Sequence, residues 1–299
     1  MQGTIDGFNY GLVTPIAAFL MACLGGALGL RCTTRSLRHG EGFKAGWLVL
    51  GATSIGAGVW TMHFIAMMGF SVEQAPVAYD RPITFASLAV AVLMVGVGIL
   101  IVGYRGATAL TLVTGGTVTG LGIATMHYLG MAGIRLRGRV EYDTLTVALS
   151  VVIAVVAATA ALWAAVSVHG FLASLGASLV MGVAVSGMHY TAMSAVSVHL
   201  HAIGAGPGTG DPAASLLLPM LIGPAVFLIL AAVVVMFDPL LVMGDPDRRR
   251  SAARIVHRPG IPAPRHVPSY GRPSHWPARP GGRSPRGSVH RGIHRSQDW

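Results

Sequence analysis

The dipeptide Met-His occurs three times in this chain, at Met62-His63, Met126-His127 and Met188-His189. Each copy carries a second methionine four residues after its histidine, at Met67, Met131 and Met193. The histidines are 64 and 62 residues apart, and composition alone would produce about 0.6 such dipeptides. Imidazole and thioether are the uncharged side chains that bind soft metals. With no carboxylate or thiolate beside them, they favour copper, Cu(I) in particular. Zinc ranks second, because its sites usually draw on cysteine and carboxylate as well. Haem held by histidines from two helices ranks behind copper too. Calcium and magnesium are disfavoured for lack of oxygen ligands.

The elements that carry these residues are membrane spans. The chain has 299 residues, 53% of them hydrophobic and only 11% charged. Seven stretches are long and apolar enough to cross a bilayer as helices, at about 8–30, 45–70, 83–103, 107–134, 144–168, 170–198 and 214–237. No acidic or basic residue falls in their interiors, and none shows the polar stripe of a helix in a soluble bundle. In lipid the backbone must satisfy its own hydrogen bonds, which leaves helices or closed barrels. The fold class expected is therefore all-α, a polytopic membrane helix bundle of about seven transmembrane helices, built from three helical-hairpin repeats plus one.

Each Met-His falls on the even-numbered span of its hairpin. The three even spans run in one direction, so the histidines share a height, about 10 Å below the membrane surface for His63. Seven and eleven residues before each histidine stand Gly56 and Ala52, Gly120 and Gly116, Gly182 and Ser178, all small. On a helix these positions lie within about 20° of the histidine, and the later methionine lies about 40° away. Small residues let membrane helices approach closely. These faces are expected to pack inward on one another and bring His63, His127 and His189 to a common point. An ionisable group at membrane depth is costly and marks a functional site by default.

Net charge of +10 is unevenly placed. Twelve of the 21 basic residues lie after Met243, all of them arginine. The first connection holds Arg31, Arg35, Arg38 and Lys44, while the segment before the first span has none. That puts the N-terminus outside and the C-terminus in the cytoplasm of a bacterial plasma (inner) membrane. Arg135, Arg137 and Arg139, which would be external, run against this orientation. Residues 1–243 form the membrane domain in this reading. Residues 244–299, with nine prolines and twelve arginines, form a disordered basic cytoplasmic tail drawn to anionic membrane lipids. Trp276 and Trp299 are too sparse to build a stacking platform, so no nucleic acid is expected as a partner. Cys23 and Cys32 give no disulfide framework, one inside a span and one at its end.

The three copies resemble the MHYT domain, a bacterial integral-membrane sensor module named for its Met-His-Tyr-Thr signature. Met188-His189-Tyr190-Thr191 is that signature verbatim. Met62-His63-Phe64-Ile65 and Met126-His127-Tyr128-Leu129 depart from it but keep Met-His-aromatic and the later methionine. The resemblance covers roughly residues 8–200. It implies a sensor that binds copper near the outer face and detects oxygen, CO, NO or redox state. The implied ligands are Met62, His63, Met67, Met126, His127, Met131, Met188, His189 and Met193, more than a copper ion takes. Many members carry a cytoplasmic output module. No GGDEF, EAL or kinase motif occurs here, so the expectation is a stand-alone member that signals to a separate partner. Copper transport or handling is the alternative. The spans hold no carboxylate pair or activated nucleophile, so no enzyme activity is expected.

Overall fold

The computed structural model describes residues 5–6, 10–38, 45–72, 77–136, 138–168, 171–200 and 213–237. The expected tail at 244–299, and with it Lys44 and Arg137, lies outside the described residues. Among the described residues seven helices are long and apolar enough to cross a membrane. They are α1 (Val13–Arg38), α2 (Ala45–Met68), α3 (Arg81–Arg105), α4 (Ala109–Ala132), α5 (Thr144–Ser167), α6 (Phe171–Ser194) and α7 (Ala213–Met236). This is an all-α, multi-pass membrane bundle.

Local chemistry sets several helix starts. Asp80 caps α3, accepting from the Ile83 amide at 3.2 Å, with Pro82 in the first turn. Thr108 and Thr111 form a reciprocal capping box at the start of α4. Asp143 caps α5 by accepting from the Thr146 amide at 2.8 Å. Gly106, at φ 78°, makes the tight turn between α3 and α4 in a conformation that disfavours any other residue.

Six helices form a closed ring. α1 packs on α2 and α6, α3 on α2 and α4, and α5 on α4 and α6. α7 stands outside the ring against α2 and α1. Each hairpin is one third of the ring, and the even helices each have 24 residues. Short two-stranded ribbons tie the hairpins shut at the end where the even helices finish. β1 (Ile5–Asp6) pairs with β2 (Ser71–Val72), β3 (Ala78–Tyr79) with β4 (Ile134–Arg135), and β5 (Gly138–Tyr142) with β6 (Val196–Leu200). Each repeat is thus strand, helix, helix, strand, a pattern too short in residues to be expected from the spans. The sixth span accordingly stops at Ser194 rather than 198, and the rest of it turns into β6.

The first helix runs eight residues past its expected end, so Arg31, Arg35 and Arg38 sit on its last turns rather than in a loop. Arg35 lies over the Trp47 ring, 5.1 Å from its centre. Cys32 is within α1 and buried, as Cys23 is, rather than at the helix end.

The stripe of small residues does not face the axis of the ring. Gly56 lies against Val92 of α3, Gly120 against Val155 of α5, and Gly182 against Phe19 and Cys23 of α1. These are equivalent crossings, each joining an even helix to the odd helix of the neighbouring hairpin. A Cβ on Gly120 would stand 2.5 Å from the Val155 Cα. The stripe therefore closes the ring rather than pairing the even helices. The histidines meet all the same, because the line that faces the axis runs from each histidine through Val59 and Ile55, Ile123 and Thr119, and Val185 and Met181, which share one cavity.

Candidate metal centre

His63, His127 and His189 each lie five residues before the last residue of α2, α4 and α6. At 1.5 Å rise per residue that is about 7.5 Å below the helix ends, somewhat shallower than the spans suggested. All three are buried, at 1%, 1% and 2% exposure. They are among the largest fully buried side chains, with Trp60, Phe64, Met62, Met67, Met126 and Met188. The core of the bundle is centred on this layer.

The three rings converge on their Nδ1 atoms. Nδ1 of His63 is 3.1 Å from that of His127 and 3.1 Å from that of His189, and the third pair is 3.4 Å apart. In a neutral imidazole each nitrogen is either an N–H or a lone pair. Three mutually touching atoms of two kinds must include at least one like pair, so hydrogen bonding among them cannot satisfy every contact. If all three present lone pairs, the trio is a ready donor set for a cation. The point equidistant from the three nitrogens lies about 1.9 Å from each, against about 2.0–2.1 Å for a zinc–imidazole bond. A metal ion of that size fits with the rings as they stand. Among the described residues these three form the one group of histidine, cysteine and acidic side chains close enough to hold an ion. The C-terminal ends of three parallel helices lie on the same side, which favours positive charge there.

Each ring is held by its own following aromatic residue. Phe64, Tyr128 and Tyr190 stand edge-on to His63, His127 and His189, with centres 4.6, 4.9 and 5.0 Å apart. Tyr128 is fixed by a 2.7 Å hydrogen bond between its hydroxyl and Ser150 Oγ. Trp60 packs on Phe64, and its Nε1 donates to the Thr84 carbonyl at 3.1 Å and Ser87 Oγ at 3.0 Å. Nε2 of His63 and of His127 are buried without a partner, as are Tyr79 Oη and Thr61 Oγ1. Burial raises the Tyr79 phenol above its ordinary range, keeping it protonated. At the rim, the Arg135 guanidinium bonds the Asp80 carboxylate at 2.8 Å and lowers that carboxyl's pKa. This pairing partners one of the basic residues that ran against the expected orientation.

The structure brings the three histidines together. Met62, Met67, Met126, Met131 and Met188 are buried in the same core, and Met193 packs half-buried at its edge. Their place as ligands is a matter for proposal. Sequence reasoning missed Gly130. A Cβ there would stand 2.8 Å from His63 Nε2 and 3.1 Å from Phe64 Cζ, so the glycine makes room for the neighbouring ring. The signal was present: three residues after the histidines come Ala66, Gly130 and Ala192, small in every copy.

The family model for MHYT, described as a bacterial signalling protein N-terminal repeat, matches residues 56–115 and 120–178. The chain carries MHYT repeats. Each matched repeat holds one Met-His, at His63 and His127. His189 falls outside the matched residues and joins the site by its geometry. The chain is 40% identical over 169 residues to the bifunctional diguanylate cyclase/cyclic di-GMP phosphodiesterase MucR of Pseudomonas aeruginosa, covering 55% of this chain and 24% of that protein. It is 37% identical over 211 residues to the cyclic di-GMP phosphodiesterase NbdA of the same organism, covering 65% and 26%. With the signaling protein YkoW of Bacillus subtilis the identity is 33% over 200 residues, covering 64% and 24%. The chain thus spans about a quarter of the length of these relatives. No solved structure matches it.

Proposed function

We propose that this chain is a membrane sensor that holds copper at His63, His127 and His189 near the outer face and responds to oxygen, CO, NO or redox state. The observation that supports this reading is the meeting of three imidazole nitrogens, one from each repeat, 3.1–3.4 Å apart in a buried core. Membership of a signalling repeat family agrees with it. Thioethers from Met62, Met67, Met126, Met131, Met188 and Met193 are the further ligand candidates, soft and neutral like the site. Bound copper would supply a one-electron couple and a coordination position open to a diatomic gas.

The three rings would tie α2, α4 and α6 into one unit. A shift of any ring bears on its own helix and, through the crossings at Gly56, Gly120 and Gly182, on the next hairpin. Two arrangements of so close a ring, differing in stability by a few kcal/mol, would let a small change at the rings bias the far end. Among the described residues Arg31, Arg35, Arg38 and Arg105 lie at that far end against Arg81, Arg135 and Arg139 at the ring end, a small excess that favours a cytoplasmic location for the far end and an outer location for the rings. In this reading the partner that receives the signal is cytoplasmic, the surroundings are membrane lipids, and the chain itself catalyses nothing. Among the described residues no second group of histidine, cysteine and acidic side chains stands along the bundle to form a relay for transport.

Optical and EPR spectra of the purified, copper-loaded chain, taken with and without CO and NO, test the reading. A change on gas addition is expected. Spectra indifferent to both gases would rule out direct gas ligation.

A further inference from the structure

Directly beneath the histidine layer, the axis of the ring is not filled. A cavity of about 40 Å3 lies there. Its upper wall is Val59, Ile123 and Val185, one turn below the three histidines. A second tier, Ile55, Thr119 and Met181, lies two turns below them. Met188, beside His189, reaches it as well. The cause of the void is legible in α5. Where α3 brings Val95 and Ile99 to the axis, α5 brings Ala158 and Leu162, with Ala154, Ala157 and Ala161 beside them, so the smaller side chain at Ala158 leaves the space.

We infer that this cavity is a docking chamber for one small apolar diatomic molecule next to the metal centre. Size suits a small occupant: one water-sized molecule needs roughly 10–15 Å3, so the space matches a guest of about two or three heavy atoms. Polarity decides between gas and water. Among the described residues Thr33 and Thr119 alone carry hydroxyls in the lining, and both are buried without a partner. An ordered buried water makes about three hydrogen bonds, and two hydroxyls do not supply them. Apolar cavities in proteins stay dry and take up apolar guests. A diatomic gas dissolves in the bilayer, so a chamber set among the spans meets it at its higher concentration. The inference rests on the gas-sensing reading above, but its test does not need the metal.

Xenon is the probe, followed by its NMR signal with the full chain in detergent. Ala158→Leu places three more carbons in the chamber. Ala158→Val copies the valine that α3 carries at the equivalent Val95, so it preserves a packing the fold already tolerates. Saturable xenon binding is expected in the wild type, weakened in Ala158→Val and lost in Ala158→Leu. Absence of saturable binding in the wild type, as a water-filled space would give, overturns the inference. So does equal binding in wild type and Ala158→Val. Copper content of the same preparations reports on the metal reading alone, since Ala158 does not touch the rings.

Discussion

If the three histidines hold copper as proposed, replacing Gly130 with alanine should weaken that site without removing any of the three rings. The new Cβ would lie 2.8 Å from His63 Nε2, and ordinary contact begins at 3.4 Å. The His63 ring must therefore retreat by about 0.6 Å, with Phe64 giving a few tenths more. Metal sites tolerate about 0.2 Å in ligand distance. His63 is also the ring whose Nδ1 makes both of the 3.1 Å contacts, so its displacement opens two sides of the triangle. Perturbing the groups that orient a ligand typically costs about 10–100-fold in metal affinity, or about 1.4–2.7 kcal/mol. Copper titration of the purified variant against a competing chelator measures this. Gly187→Ala is the control. It sits two residues before His189, where an added Cβ meets nothing within 4 Å, so its affinity should match wild type. Wild-type affinity in Gly130→Ala would refute the reasoning.

Other outcomes follow from the same contacts. Gly120→Ala drives a Cβ into the Val155 backbone, at 2.5 Å from Cα and 2.7 Å from N, and should cost about 1–3 kcal/mol in thermal stability in detergent. An unchanged melting temperature would contradict the close crossing. Trp60→Phe removes the donor to Thr84 and Ser87 and should cost about 1–2 kcal/mol, read in the same assay. Asp80→Asn tests the rim. Arg135 holds the Asp80 carboxyl below its ordinary range, so its contribution is complete above the unfolded pKa and is lost as pH falls through the depressed folded value. The wild type should be more stable than Asp80→Asn at neutral pH, and the gap should close in acid. A gap that persists in acid would contradict the ion pair.

Much of this architecture could be read from residue order. Apolar runs gave seven spans to within a few residues at most ends, because lipid forbids charge in their interiors. The equal spacing of His63, His127 and His189 gave their common depth. The neighbours of the small residues were not legible. Helical periodicity places Gly56 about 20° from His63 but does not say which neighbour that face meets, and in the bundle Val59 and Ile55 line the axial cavity while Gly56 lies against Val92. The ribbons escaped for a different reason. Two-residue strands such as Ser71–Val72 have no period to detect, although the alternation in Gly138–Tyr142 and Val196–Leu200 was visible. The cavity needed the three hairpins superposed, since Ala158 of α5 is conspicuous only beside Val95 of α3.

The most direct test is the copper content of the purified full chain beside His63→Ala, His127→Ala and His189→Ala, each alone. Three rings on one centre predict that every single change removes essentially all the bound copper. Any one of the three variants keeping wild-type copper would contradict a shared site.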